Sequence, residues 1–353
     1  MVAAARNLLS ASRVYLGTMN YGWSQASAVC DAPVAAEMLR RFAAAGGNRL
    51  DTARIYAGGQ GEAHIAEAIR LSGTEDWRLG SKAAPAGHDA GLAADGVHRQ
   101  FDLTRDALGL DGALDEYYLH QPDPQSPLEE SLKSMDVLVG MDVVREVGLS
   151  NFHVDEVRRA FDICDAHGLA PPTVYQGLYS PLNRMVEDEL LPLLRERNCR
   201  FVAYNGLAAG LLTGKHLQGG TVLQGRFKDN PNYMPRFYND ANFAAVERIC
   251  AACDIADISM VAATYSWLLN HSALGADDGV LLGESSLDQL DAGLDACASP
   301  GELPSQVLAA FDGAWAGTRP GAFKYWRSYS SDMPGREGRD PGAVYDAKRK
   351  KLR

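Results

Sequence analysis

The sequence predicts a closed (β/α)8 barrel, an α/β fold, and three observations carry that prediction. Short β-like runs alternate with amphipathic helical stretches almost to the end of the chain. The 353 residues suit such a barrel, which takes about 250 residues and up to about 400 with insertions. No G-x-G-x-x-G follows an early strand, which disfavours the main rival, a doubly wound sheet.

Arg13–Met19 reads as strand 1. Val34–Ala45 is helical, because Ala35, Met38, Leu39, Phe42 and Ala43 fall on one stripe, and Gly46-Gly47 stops it. Asn48–Thr52 is strand 2 and Gln60–Leu71 its helix. Trp77–Lys82 is strand 3, followed by a helix over Asp95–Leu108 with Val97, Phe101, Leu103 and Leu108 apolar. Leu114–His120, Arg145–Ser150, Thr173–Gln176, Arg200–Asn205 and Gly279–Gly283 are strands 4 to 8. Their helices are Pro127–Val139, Asp155–His167, Val186–Arg197 and, after strand 8, Leu287–Ala298. Residues 206–240 form a loop after strand 7 too long for a plain connection, so a functional one is expected. Residues 299–330 add an extra C-terminal helix and an aromatic end, Phe323-Lys324-Tyr325-Trp326-Arg327. The barrel is thus expected over 1–330. Residues 331–353, with seven basic and four acidic side chains, read as a loosely attached basic tail.

Hydrophobic content is 46% and charged content 22%, ordinary for a globular chain with a large core. The net charge of −11 speaks against a nucleic-acid partner. No run reaches the ~20 apolar residues that span a bilayer. Met1 to Ser12 has no continuous apolar core, so no signal peptide is read. The six cysteines are scattered, which fits reduced thiols in the cytoplasm. Cys250 and Cys253 form a lone C-x-x-C that reads as helix packing, not a metal site. A homodimer is left open.

Four residues stand out: Asp51, Tyr56, Lys82 and His120. Asp51, Lys82 and His120 each close a strand-like run, so neighbouring parallel strands bring them to one rim. Tyr56, about one turn beyond Asp51, can bend back over it. A phenol beside a Lys, an Asp and a His makes a tuned proton donor, which suits carbonyl reduction. An unperturbed Tyr has a pKa near ~10, and the Lys82 ammonium, held by Asp51, is expected to lower it. His120 would hydrogen-bond the carbonyl oxygen. Ser150, Asn151 and Gln176 can bond an amide, and Tyr204 offers a flat face for stacking. The backbone amides of Ser285 and Ser286 open a helix and form a natural anion site, with Gln289 one turn on. Gly210–Lys215 falls short of a P-loop: three residues, not four, separate the glycines, and His216 stands where Ser or Thr belongs.

The run Leu50-Asp51-Thr52-Ala53-Arg54-Ile55-Tyr56, with Gly58-Gly59-Gln60-Gly61-Glu62, resembles the aldo-keto reductase signature around the catalytic tyrosine. Tyr118-Leu119-His120-Gln121-Pro122-Asp123 is similar to that family's strand-4 histidine motif. Gly148-Leu149-Ser150-Asn151-Phe152 and Val174-Tyr175-Gln176 resemble its nicotinamide site. Val202-Ala203-Tyr204-Asn205 to Gly210-Leu211-Leu212-Thr213-Gly214-Lys215 resembles its strand-7 cofactor loop. Leu282-Gly283-Glu284-Ser285-Ser286-Leu287-Asp288-Gln289-Leu290 resembles its adenosine-side motif. The matches run in order from about Val14 to about Tyr329. Thr173-Val174-Tyr175-Gln176-Gly177, Ala203-Tyr204-Asn205 and Gly225-Arg226-Phe227 are most similar to the aflatoxin-aldehyde and succinic-semialdehyde reductases.

The resemblance implies a TIM barrel that reduces an aldehyde or ketone with NADPH, Tyr56 acting as general acid. It implies cofactor contacts at Ser150, Asn151, Gln176, Tyr204, Asn205, Leu207, Gly210, Gly283, Ser285, Ser286 and Gln289, with Lys215 and Arg226 on the pyrophosphate and 2′-phosphate. On the substrate side Arg236 and Arg327 are the candidates, Arg236 standing where the similar semialdehyde reductases carry an arginine that can hold a carboxylate, and Met19, Tyr21, Trp23 and Tyr238 are expected to line an aromatic pocket. Two positions depart from the family. Gly206 stands where Pro is usual, and Gly293 where an adenine-contacting Asn is usual. A cofactor-binding regulatory subunit and a metal-dependent barrel hydrolase or lyase are the alternatives. No His-rich ligand spacing supports the latter.

Overall fold

The computed structural model describes residues 13–23, 26, 28–216, 227, 233–298 and 300–343. Eight parallel strands close into a barrel in sequence order: β1 (Val14–Gly17), β2 (Arg49–Asp51), β3 (Arg78–Ala83), β4 (Leu114–Leu119), β5 (Val144–Ser150), β6 (Val174–Leu178), β7 (Arg200–Tyr204) and β8 (Gly279–Leu282). Helices α1 (Ala32–Ala44), α2 (Gly61–Ser72), α3 (Ala94–Leu108), α4 (Leu128–Gly140), α5 (Val154–His167) and α6 (Leu190–Glu196) form the first part of the outer ring. After β7 come α7 (Met234–Phe237), α8 (Asp240–Ala256) and α9 (Met260–Ser266). After β8 come α10 (Leu287–Ala298) and α11 (Ser305–Thr318). No single described helix is long and apolar enough to cross a membrane.

The stripe read on α1 is the buried one: Ala35, Met38, Leu39 and Phe42 all face the sheet. Asp31 caps that helix, accepting from Val34 N at 3.1 Å. The helices α8 and α9, between β7 and β8, were not read from the sequence, although Ala245, Val246, Ile249 and Cys253 form the buried stripe of α8. Cys253 is buried on α8, while Cys250 lies half-buried with Sγ 3.6 Å from Asp254 Oδ2. None of the six cysteines forms a disulfide.

Two cores result. One lies between sheet and helices. The other fills the barrel, where Tyr15, Tyr118, Val174 and Val202 pack together. Below this layer, Glu116 accepts from Tyr15 Oη at 2.9 Å, Arg49 at 2.9 Å and Arg200 at 2.6 Å. The N-terminal end is thus sealed by a paired charge cluster, and the C-terminal rim alone is left for a site.

Residues 331–343, expected to belong to a loosely attached tail, are held on the barrel. Residues 331–343 pack on the ends of α4 and α5. Ser331 N donates to Ser126 O at 3.1 Å, Leu128 N to Asp332 Oδ1 at 2.9 Å, and Arg159 pairs with Asp332. Met333 is buried. Composition suggested looseness because few of these residues are apolar, yet backbone bonds and ion pairs hold them. Residues 344–353 lie outside the described residues.

Beneath this segment Glu156 of α5 is fully buried. Its Oε1 accepts from Ser330 N at 2.8 Å, and its Oε2 has no partner among the described residues. Burial pushes its carboxyl up from 4.5 to about 7. The folded chain therefore holds this proton where the unfolded chain has lost it. The contribution of Glu156 to stability falls as pH rises from about 4.5 to about 7, and is flat on either side. Glu156→Gln mimics the protonated acid, so the variant should match wild type at pH 4.5 and exceed its Tm by a few degrees at pH 8. Parallel Tm curves for the two proteins across that range would refute the assignment.

Candidate active site

Asp51 ends β2, Lys82 lies one residue from the end of β3, and His120 follows β4 directly. The register sets Asp51 across from Gly80, and Lys82 across from Tyr118. The Lys82 and Asp51 side chains are both buried. The ammonium donates to Asp51 Oδ1 at 2.6 Å, Asp51 Oδ2 at 2.7 Å and Thr52 O at 2.7 Å. These three acceptors match its three protons. From across the barrel, Gln176 Nε2 donates to Asp51 Oδ2 at 2.8 Å.

Tyr56 stands over this pair. The Lys82 Nζ lies 5.3 Å from the Tyr56 ring centroid, and the His120 ring meets Tyr56 edge-on at 5.9 Å. The loop that returns Tyr56 to the rim turns sharply: Ala57, Gly58 and Gly59 take φ of 48°, 67° and 92°. It is braced by Arg54, which bonds both Glu62 and Gly59 O. Glu62 is fully buried and also accepts from Ser81 Oγ at 2.6 Å and Thr104 Oγ1 at 2.7 Å. Gly61 is required here, since a Cβ would lie 2.8 Å from the Tyr56 Cβ. The bracing pair was missed in the sequence. Its signal was an Arg and a Glu flanking the tyrosine within one short run.

Burial, Asp51, Tyr233 and Tyr204 hold the Tyr56 phenol well above its ordinary value, against Arg327. This corrects the expected lowering by Lys82: Asp51 takes up the ammonium's charge, and desolvation dominates. Burial pulls Lys82 itself down, against Asp51, which pulls it up. His120 is pushed well below its ordinary range by burial, then by Lys82 and Arg327. At neutral pH the centre therefore holds a neutral phenol and a neutral imidazole. A neutral imidazole still carries one N–H to donate. His120 Nδ1 is buried without a partner among the described residues.

Around this centre lie the amide-binding candidates. Ser150 ends β5 and pairs in register with Gln176. Asn151 follows with a left-handed φ of 64°. Its Nδ2 donates to His120 O at 2.8 Å and to Ser150 Oγ at 2.9 Å, while its Oδ1 accepts from Tyr204 Oη at 2.8 Å. Asn205, Ala208, Ala209 and Gly210 all take positive φ after β7. Left-handed alanines are strained, and such strain clusters at binding loops. Above β8, Ser285 N and Oγ both donate to Gln289 Oε1 at 3.1 Å, and Gln289 N donates to Ser286 Oγ at 3.3 Å.

A model of the aldo/keto reductase family matches residues 13–316. Aldo-keto reductase family 7 member A3 of Homo sapiens is 38% identical over 299 residues, covering 81% of this chain and 89% of its own. Aflatoxin B1 aldehyde reductase member 2 of Rattus norvegicus is 36% identical over 314 residues, covering 85% of this chain and 83% of its own. An aldo-keto reductase of Pseudocercospora fijiensis is 29% identical over 288 residues. The chain belongs to the aldo/keto reductase family. It is an oxidoreductase of aldehydes or ketones.

The substrate-side expectations divide. Arg327 bears electrostatically on both Tyr56 and His120, and its Nη1 donates to Gln121 Oε1 at 3.3 Å. Arg236 lies over the Phe323 ring at 5.3 Å, beside a groove lined by Ser180, Asn183 and Phe237. Met19 and Trp23 are half-buried near the end of β1. Tyr21 is fully enclosed in the core of this reductase, so it does not line a pocket. Its hydroxyl has no partner among the described residues, and its position in the sequence does not reveal this burial. Tyr238 packs edge-on to Phe243 at 4.6 Å and against Phe227 at 5.5 Å. Arg226 lies outside the described residues. Tyr233, which the sequence reading passed over, contributes to the field at Tyr56.

Breaking a buried ion pair strands one charge and costs about 3–5 kcal/mol. Asp51→Asn and Lys82→Met should each destabilise the barrel on that scale in urea unfolding. The double variant should lose clearly less than the sum, because neither charge is then left alone. Additive losses would show that the pair is not coupled.

Proposed function

We propose that this reductase converts an aldehyde or ketone to its alcohol with NADPH, Tyr56 acting as general acid. The observation that carries the reading is the Tyr56 phenol set over the buried Lys82–Asp51 pair and edge-on to the His120 ring. NADPH, when bound, supplies the hydride to the carbonyl carbon. The chain's own groups supply the rest. His120 donates an N–H to the carbonyl oxygen and polarises it. As negative charge grows on that oxygen, Tyr56 delivers its proton there. The raised phenol keeps the proton until an alkoxide, a stronger base, develops. Arg327, which pulls the Tyr56 phenol down, then favours the phenolate left behind.

The described residues fit the cofactor. A Cβ at Gly283 would meet nothing within 4 Å, and one at Gly210 only Lys215 Cε at 4.0 Å, so both glycines border open space rather than packing. Ser150, Asn151 and Gln176 would hold the nicotinamide carboxamide, and the Tyr204 ring would stack on it. Asn205, Leu207, Gly210 and Lys215 would follow the pyrophosphate. Gly283, Ser285, Ser286 and Gln289 would border the adenosine. Lys215 and Arg226 support NADPH over NADH, because Arg–phosphate pairing is strong and geometrically specific. The substrate is a small carbonyl compound, and the unpaired thiols suit the cytoplasm. Arg327, which bears on both Tyr56 and His120, is the candidate anchor for a substrate carboxylate, and Arg236 is the second.

Loss of NADPH absorbance at 340 nm with a panel of aldehydes tests the reading. Tyr56→Phe should lose at least about a hundredfold in kcat, with NADPH binding held within a few fold. A near wild-type kcat would sink the mechanism.

Cofactor choice gives a separate check. Arg226→Ala should weaken NADPH binding far more than NADH binding in fluorescence titrations. Equal losses for the two would remove Arg226 from the 2′-phosphate.

A further inference from the structure

We propose that residues 328–343, beyond the family match, form a strap that holds the Arg327 guanidinium at the catalytic pocket, with Asp332 as its main positioning residue. This rests on the reductase reading and assigns to one acid outside the pocket a part in substrate choice.

The chain is tied on both sides of Arg327. Arg327 N donates to Asn151 O at 2.9 Å, so the arginine backbone is fastened to a residue that itself bonds His120 O. Arg327 also forms an antiparallel bridge with Gly342. Ser328 N donates to Pro341 O at 2.7 Å, and Ala343 N to Trp326 O at 2.8 Å. Ser328 takes a left-handed φ of 58°, a conformation that a serine keeps only where its surroundings enforce it. Upstream, Val154 N donates to the Tyr325 hydroxyl at 3.2 Å, and Tyr325, Trp326 and Tyr329 all pack on His153.

Downstream, the strap reaches a point where acid and base converge. Ser330 N donates to the buried Glu156. Asp332 accepts from the first residue of α4, Leu128 N, and from Arg159 Nη1 of α5 at 3.1 Å, and so locks the strap across two helices. Arg336 Nη1 donates to Pro124 O at 2.8 Å, and Arg339 Nη1 to Asp155 Oδ2 at 2.6 Å. No residue of 328–343 needs to touch substrate for this to matter. A guanidinium on a fixed backbone meets an anion without first ordering its own segment, and that ordering cost is what preorganisation removes.

The experiment measures kcat/KM with NADPH for two aldehydes of equal length, one ending in a carboxylate and one in a carboxamide. The proteins are wild type, Asp332→Ala, Arg327→Ala and the double variant, all full length. Wild type should favour the acid by about ten- to a hundredfold. Asp332→Ala should lower that preference several-fold through KM, leave the neutral aldehyde within about twofold, and add nothing to Arg327→Ala. Equal losses for both aldehydes, or additive losses in the double variant, would overturn the strap's role. A wild type that reduces both aldehydes equally would overturn it too, with the reductase reading intact. No turnover of either aldehyde would sink that reading and the strap with it. Should Asp332→Ala not fold, Arg339→Ala loosens the strap at its exposed end and is read by the same criteria.

Discussion

Everything at the rim depends on the Lys82–Asp51 ion pair in the barrel mouth. Placing an ammonium and a carboxylate out of water costs several kcal/mol per ion unless both are fully bonded. The barrel meets that condition by geometry. Adjacent strands bring Asp51 and Lys82 together, the turn after β2 offers Thr52 O as the third acceptor, and Gln176 comes from the far side to bond the same carboxylate. The closed sheet is what places β2, β3 and β6 around one point. The pair in turn makes the sheet's interior there polar and rigid, and gives Tyr56 and His120 a fixed floor.

That floor explains the state of the two groups above it. A lysine with an uncompensated charge would draw the Tyr56 proton off. Here Asp51 balances the ammonium, and burial then decides the outcome for the phenol. The neutral imidazole follows from the same enclosure, since a third cation beside Lys82 and Arg327 is unfavourable. Keeping Tyr56 over the pair requires a strained return, with Ala57 left-handed and α2 starting at a glycine against the tyrosine. The buried Arg54–Glu62 pair holds this return closed.

Much of this was legible in the sequence because barrel position and chemistry coincide. Asp51, Lys82 and His120 each sit where a strand ends, so their meeting follows from the alternation of strands and helices alone. Ser150, Gln176 and Tyr204 were placed on the rim by the same logic. What composition could not convey was the balance of fields: the ammonium was expected to lower the phenol, and only the three short bonds to Lys82 reveal where its charge goes. Tyr21 was misjudged because an aromatic near a strand end looks the same whether it faces a pocket or the core. Residues 331–343 were misjudged for a different reason. Their anchoring lies in backbone donors, one aspartate and a buried glutamate on another helix, and none of these shows as an apolar pattern.

The strap and the ion pair meet in the electrostatics of His120. Lys82 from below and Arg327 from the side both oppose a proton on that imidazole. A cation beside the pocket favours negative charge, and reduction develops such charge on the carbonyl oxygen. The same potential would favour a substrate that arrives with an anionic end. Because Asp51 cancels most of the Lys82 charge, the field left over comes from Arg327, whose backbone is bonded to Asn151 and bridged to Gly342. On the proposed mechanism the fold fixes the proton donor, Tyr56, while the proposed strap, beyond the family match, fixes the charge beside it.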